Sequence, residues 1–119
     1  MLVTAADLAS HVNDSTLTSA WATNATNLKG RFNDVFWLPS AGMYRDNDTT
    51  TLCPQDANSM AVLYNLTTSP EQADSVSKGL TQNWNDLGPI APELPDTISP
   101  FISGLEVSGG INRSTDVLD

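Results

Sequence analysis

Apolar residues recur at intervals of three and four along most of this 119-residue chain, which places them on one face of an α-helix. The clearest helix starts are Ser69-Pro70 and Ser99-Pro100, because serine is a favoured N-cap and proline a favoured first helical residue. No alternating pattern of useful strand length is present. The sequence therefore predicts an all-α fold with five helices, over residues 3–12, 15–37, 56–66, 69–84 and 99–108.

The connections between these helices alternate between short and long. Short turns are predicted near residues 13–15 and 67–69, and long loops over residues 38–55 and 85–98. The second long loop is rich in proline, and the first is polar and too long for a simple connection. Residues 114–119 have the composition of the capped start of a further helix. This pattern predicts helical hairpins joined by long loops, and such loops often carry function.

Charge excludes two classes of partner. The chain has 5 Lys plus Arg against 14 Asp plus Glu, a net charge of −9, which opposes binding to a phosphate backbone. The same charge disfavours anionic membrane surfaces, and no apolar run approaches the roughly 20 residues of a bilayer-spanning helix. Apolar residues make up 39% of the chain, enough for a small core. We predict no nucleic-acid partner and no membrane partner.

Sequons for N-linked glycosylation point to the secretory pathway. The single cysteine, Cys53, cannot form an internal disulfide and does not indicate a redox compartment. The first residues, MLVTAADLASHV, lack the basic and apolar regions of a signal peptide, so we expect this chain to be part of a longer secreted protein. The five asparagines that begin an Asn-x-Ser/Thr sequon are Asn13, Asn24, Asn47, Asn65 and Asn112.

Three segments carry a resemblance to a known family: FNDVFWLPSAGMYRDND, LCPQDANSMAVLYNL and GPIAPELPDTISPFISGLEVSGGIN, in that order. With the helical hairpins between them, they resemble consecutive parts of the six-hairpin catalytic domain of α-L-rhamnosidase-like glycoside hydrolases, particularly secreted fungal members. The similarity covers about residues 21–119. It implies a partial (α/α)6 toroid of two to three helical hairpins, with loops 38–55 and 85–98 at the sugar-binding end.

The resemblance also implies what this chain does not contain. The family hydrolyses terminal rhamnosides with inversion, using a carboxylic acid and a carboxylate that stand about 6.5–9.5 Å apart. In the family the acid motif precedes the matched region and the base motif follows it, and neither occurs in these residues. We therefore expect residues 1–119 to be a fragment, incomplete at both ends and inactive alone, of an enzyme that binds a rhamnose-containing glycan or glycoside. No catalytic residue and no cofactor is predicted in the chain.

Four residues are predicted to contact the sugar. Gln55 and Asp56 offer polar groups that could line the site, and Trp37 and Tyr44 offer rings that could stack on a sugar face. The structural alternatives are an N-cap role for Asp56 and core packing for Trp37. Trp21 and Trp84 fall on predicted helix faces, and we expect both in the core.

Two carboxylates of the third segment need separate consideration. Glu93 lies between prolines in a loop, and Glu106 lies on an amphipathic helix. Residues in such places usually cap a helix or face solvent, and we favour those roles over catalysis.

The sequence contains little evidence for a metal-binding site. Asp46, Asp48 and Thr50 alternate as in a calcium loop, but the glycine and glutamate that complete such a loop are missing. His11 is the only histidine, so a zinc site or a catalytic triad is not predicted. A second hypothesis remains open from the sequence: a small helical carbohydrate-binding or protein-interaction module without catalysis.

Overall fold

The computed structural model describes the backbone of residues 1–116 and the side chains of residues 1–110. The predicted helix start at residues 114–119 extends outside this part of the chain. Helices contain most of the described residues, which confirms the mostly helical class; two very short hairpins were not predicted. The elements are α1 Leu2–His11, α2 Ser15–Phe36, β1 Trp37–Leu38, β2 Met43–Tyr44, α3 Gln55–Leu63, α4 Pro70–Thr81, β3 Trp84–Asn85, β4 Gly88–Pro89 and α5 Pro100–Asp116.

The chain divides into two compact units, residues 1–34 and 35–119. In the first unit a short turn ends α1 and begins α2, as predicted. Asn13 adopts a left-handed conformation in this turn, with φ 59°. Asp14 then caps α2, because its Oδ1 atom accepts a hydrogen bond from the Leu17 N–H at 2.9 Å. Ala6 and Ala9 of α1 are buried, whereas α2 has no buried residue.

The second unit is built around α3, which contacts α4, α5 and β2. Small side chains allow these elements to approach closely. Gly109 is one example, because a Cβ atom there would lie 3.4 Å from the backbone nitrogen of Leu63 in α3. The buried apolar residues of this unit are Met43, Tyr44, Ala61, Ala73, Val76, Leu80 and Ala91.

The predicted starts of α4 and α5 are confirmed. The Ser69 Oγ atom accepts a hydrogen bond from the Gln72 N–H at 3.2 Å, and Ser99 Oγ accepts one from the Ile102 N–H at 3.4 Å. The long connections lie between α2 and α3 and between α4 and α5, and the short ones lie elsewhere, as predicted. No helix in the described part of the chain is long and apolar enough to cross a bilayer.

The predicted ends of α4 and α5 are wrong. α4 stops at Thr81, because the next two residues close a turn back onto the carbonyl groups of Gly79 and Leu80. Trp84 therefore lies in β3 with 48% of its surface exposed, not in the core on a helix face. α5 continues past Gly109, since this glycine permits close approach to α3 and does not end the helix.

The first hairpin directly follows α2. Trp37 is therefore a strand residue, opposite Tyr44, and does not belong to the helix as predicted. Gly42 has φ 64° in the connecting turn, a conformation that suits glycine. The N–H groups of both Ala41 and Gly42 donate to the Leu38 carbonyl, at 3.0 and 2.9 Å. Strands of two residues are too short to show a sequence alternation, which explains why this hairpin was not predicted.

Candidate functional site

Gln55 is the first residue of α3 and is only 1% exposed. The preceding Pro54 is extended, with φ −72° and ψ 152°, and occupies the N-cap position without a side-chain hydrogen bond. The helix therefore begins one residue earlier than predicted, and Asp56 is not its N-cap. Because the first N–H groups of a helix lack partners within the helix, a buried start such as this one needs an acceptor from elsewhere.

Glu93, in the second long loop, supplies that acceptor. Its Oε2 atom accepts a hydrogen bond from the Gln55 N–H at 2.9 Å. A carboxylate is also favoured at this position by the partial positive charge of a helix N-terminus. The capping role considered for Glu93 is thus observed, across 38 residues of sequence. This contact joins the second long loop to the end of the first.

Glu106 of α5 holds two further side chains. Its Oε2 atom accepts a hydrogen bond from Gln55 Nε2 at 2.8 Å, and its Oε1 atom accepts one from Trp84 Nε1 at 2.7 Å. Both carboxylate oxygens therefore hold neighbouring groups in defined orientations. We call Gln55, Trp84, Glu93 and Glu106 the Gln55 cluster.

The amide of Gln55 has an unused acceptor. A carboxylate only accepts hydrogen bonds, so the amide group that faces Glu106 must be the Gln55 Nε2 donor. The Gln55 Oε1 atom therefore points away from Glu106. The Oε1 atom is buried and has no hydrogen-bond partner in the described part of the chain. Unpaired buried acceptors are uncommon in proteins and often mark a functional position.

A groove lies beside the Gln55 cluster. It has a volume of about 270 Å³, and Trp84 and Glu106 form part of its wall together with Val62, Leu80 and Val107. This volume is close to the lower end of the roughly 300–1,000 Å³ that small-molecule sites occupy. The groove thus combines an apolar lining, an exposed indole ring and a carboxylate.

The other three predicted sugar contacts lie outside this cluster. Asp56 is half-buried, and its Oδ1 atom accepts a hydrogen bond from the Ala57 N–H at 2.6 Å. Tyr44 is fully buried, and burial raises the pKa of its hydroxyl to about 12. Trp37 is half-buried and meets the Tyr44 ring edge-on, with 5.1 Å between ring centres. In this structure the Tyr44 ring presents no face to solvent.

Two polar residues of this region stabilise the backbone. The Arg45 guanidinium donates two hydrogen bonds to the Val35 carbonyl at the end of α2, at 3.1 and 2.7 Å. Asn58 is completely buried, and its amide pairs with the backbone of Tyr44 and Pro54. Neither the Arg45 contact with Val35 nor the Asn58 contact with Tyr44 was predicted from the sequence.

Sequence reasoning predicted only Gln55 of this cluster as a site residue; it favoured capping or solvent-facing roles for Glu93 and Glu106 and placed Trp84 in the core. A local signal was present, because the tryptophan lies at the boundary between a helical pattern and a proline-rich stretch. In the described part of the chain, no three His, Cys, Asp or Glu side chains are arranged to hold a metal ion.

No protein-family model matches the chain, and a search of curated proteins finds no match either.

Proposed function

We propose that this chain forms part of the sugar-binding wall of a secreted α-L-rhamnosidase-like glycoside hydrolase. In this proposal its helical hairpins belong to an (α/α)6 toroid, and the Gln55 cluster faces a rhamnose-containing glycan or glycoside. The acid and the base that cleave the glycosidic bond belong to other parts of the complete enzyme.

One observation carries the proposal. Gln55 comes from the second segment that resembles the family, and Glu93 and Glu106 come from the third. These residues are 38 and 51 positions from Gln55 in sequence, yet both carboxylates accept hydrogen bonds from it. The second and third of the three segments that carry the resemblance thus meet at one polar cluster beside a groove, which is expected if these two segments serve a shared site.

The chemistry of the cluster suits a sugar. The exposed indole of Trp84 offers an apolar face on which a pyranose ring can stack, while its N–H is held by Glu106. Gln55 Oε1 is a buried acceptor without a partner, and in this proposal a sugar hydroxyl binds it after displacing the side chains that cover it. Satisfying a buried polar atom of this kind is worth about 1–3 kcal/mol, so one such contact contributes measurably to binding.

The same contacts give the chain a binding role and not a catalytic one. Glu93 already accepts a backbone N–H, and both oxygens of Glu106 already accept hydrogen bonds. A general acid or base needs a carboxyl group that is available to the substrate. We therefore assign neither residue to proton transfer and expect the chain to bind rhamnose without hydrolysing rhamnosides.

Nuclear magnetic resonance with L-rhamnose as the probe tests this proposal. We expect the sugar to shift the Trp84 indole N–H and Gln55 side-chain amide signals, and Glu106→Gln to weaken that response at least several-fold. Glu71→Gln is the matched control, because Glu71 is exposed at the start of α4. No shift of either signal in a folded chain would contradict the proposal, as would hydrolysis of a nitrophenyl rhamnoside by this chain alone.

A helical interaction module remains a second candidate, and exposed apolar side chains favour it. Leu87 is 84% exposed and Phe101 72% exposed, and Val107 lies at the edge of the groove. Apolar surface of this kind often marks a contact with another protein. Concentration-dependent association in sedimentation experiments, without any rhamnose response, is the result that this second candidate predicts.

A further inference from the structure

We infer that Asn47 is an acceptor site for an N-linked glycan, and that it is the sequon best arranged for transfer in the folded chain. This inference is separate from the proposed sugar-binding function. It concerns covalent modification of the first long loop, between β2 and α3, where Asn47-Asp48-Thr49 forms the sequon.

The side chains of this sequon are already in contact. Asn47 Oδ1 accepts a hydrogen bond from the Thr49 hydroxyl at 2.8 Å and another from the Thr49 N–H at 3.0 Å. The asparagine amide and the hydroxyl two residues later are the two groups that define an acceptor sequon. Asn47 Nδ2, the atom that is glycosylated, donates to the Asp46 carboxylate at 3.0 Å on the protein surface.

Exposure of the loop permits both access and a bulky product. Residues 46–49 are all exposed, so an oligosaccharide on Asn47 displaces no core side chain. The hydrogen bonds of the sequon join residues two apart in sequence, so the arrangement does not depend on packing elsewhere.

Two other described sequons have their hydroxyl residues engaged or enclosed. Asn24 lies within α2, where the Thr26 hydroxyl donates to the Ala22 carbonyl at 3.1 Å. Asn65 has φ 54° after α3, and the hydroxyl residue of its sequon, Thr67, is only 7% exposed. Transfer at either place requires local unfolding.

The remaining described sequon begins at Asn13. This residue has φ 59° in the turn between α1 and α2, and Ser15, the hydroxyl residue of the sequon, is the first residue of α2. The Asn112 side chain lies outside the described residues. Asn47 is thus the described sequon in which the amide and the hydroxyl are seen in contact.

The co-reactant is an oligosaccharide linked to a lipid pyrophosphate. In the transfer step Asn47 Nδ2 releases one proton to solvent and forms a bond to the anomeric carbon of the first sugar. The bond between that carbon and the pyrophosphate oxygen breaks, and the lipid pyrophosphate leaves with the electron pair. No oxidation or reduction takes place.

The test uses the folded chain, a detergent-solubilised eukaryotic oligosaccharyltransferase and a lipid-linked oligosaccharide. We expect site occupancy, measured by mass spectrometry, to be at least several-fold higher at Asn47 than at Asn24 or Asn65. Tryptic cleavage leaves Asn47 and Asn65 on one peptide, residues 46–78, and chymotrypsin separates them by cleavage after Tyr64.

Sequon variants complete the experiment. Thr49→Ala is expected to reduce Asn47 occupancy to background, Thr49→Ser to retain it in part, and the matched control Thr26→Ala to leave it unchanged. Circular dichroism confirms that each variant is folded. Asn47 occupancy no higher than that of Asn24, or unchanged by Thr49→Ala, would overturn the inference. Because no rhamnose is involved, neither result bears on the proposed function.

Discussion

Asn58 completes the first hairpin, and replacing it with alanine is expected to destabilise the second unit. The Arg45 N–H donates to the Phe36 carbonyl at 2.9 Å, which makes those two residues a hydrogen-bonded pair. Pairs alternate along antiparallel strands, so the backbone groups of Tyr44 point away from β1. They meet the Asn58 amide instead: the Tyr44 N–H donates to Oδ1, and Nδ2 donates to the Tyr44 carbonyl, both at 2.8 Å. The side chain thus takes the place of a third strand.

The magnitude follows from the groups that lose a partner. Asn58→Ala removes these two bonds and a third, from Nδ2 to the Pro54 carbonyl at 2.8 Å. The Pro54 carbonyl keeps the Asn58 N–H at 3.4 Å, so the main loss falls on the two Tyr44 groups. Each buried group deprived of its partner costs about 1–3 kcal/mol, so the two Tyr44 groups give a loss of about 2–6 kcal/mol in the free energy of unfolding.

Urea denaturation followed by tryptophan fluorescence measures this loss, since Trp37 packs against Tyr44. Asn27→Ala, at an exposed position of α2, is the matched control and is expected to change the free energy of unfolding by about 0.5 kcal/mol or less. Asn58→Asp should be at least as damaging as Asn58→Ala, because a carboxylate cannot donate to the Tyr44 carbonyl. If Asn58→Ala costs no more than the control, the third-strand role is wrong.

Three further predictions concern packing, pH and helix capping. Gly79→Ala should destabilise the chain by about 1–3 kcal/mol, because a Cβ atom there would lie 2.8 Å from Met43 Cγ. Gly104→Ala should stabilise it by up to about 1 kcal/mol, because a Cβ atom there would have nothing within 4 Å. Urea denaturation compares the free energies of unfolding of the two variants. Burial raises the pKa of Tyr44 from 10.0 to about 12. The stability that comes from burying the neutral Tyr44 hydroxyl is therefore complete below pH 10 and is lost as the pH rises toward 12. Measurements of the free energy of unfolding across this pH range would detect the loss. Ser69→Ala should cost about 1 kcal/mol, because α4 loses its N-cap acceptor, and the same denaturation assay measures it.

The sequence predicted those features of the fold that local chemistry controls. Ser69-Pro70 and Ser99-Pro100 begin helices because a serine oxygen can cap the first turn and proline needs no N–H there. The order of short and long connections was also predictable, since the residues that interrupt the helical spacing are themselves polar or proline-rich.

Features that depend on contacts distant in sequence could not be predicted in this way. Glycine is common just after the last residue of a helix, so Gly109 suggests that α5 ends there. In the structure Gly109 instead lies within α5, at a place where α3 approaches closely. The N-cap of α3 could not be identified locally, because its acceptor is Glu93, 38 residues away. The sequence favoured Gln55 as a site residue. It could not indicate the contact of Gln55 with Glu106, or that of Glu106 with Trp84, because these residues are distant from one another in sequence.

The Gln55 cluster also permits a direct test of whether it serves binding or stability. A polar pair such as the buried Gln55 and the half-buried Glu106 contributes little net stability, and replacing both partners by apolar residues of similar size is often neutral or stabilising. The unpaired Gln55 Oε1 atom makes the native arrangement less favourable still. We therefore expect the double variant Gln55→Leu/Glu106→Leu to unfold at a urea concentration equal to or above that of the native chain, while losing the response of Trp84 to L-rhamnose. A double variant that unfolds much more easily would show that the cluster stabilises the fold. In that case its geometry would no longer support a sugar site.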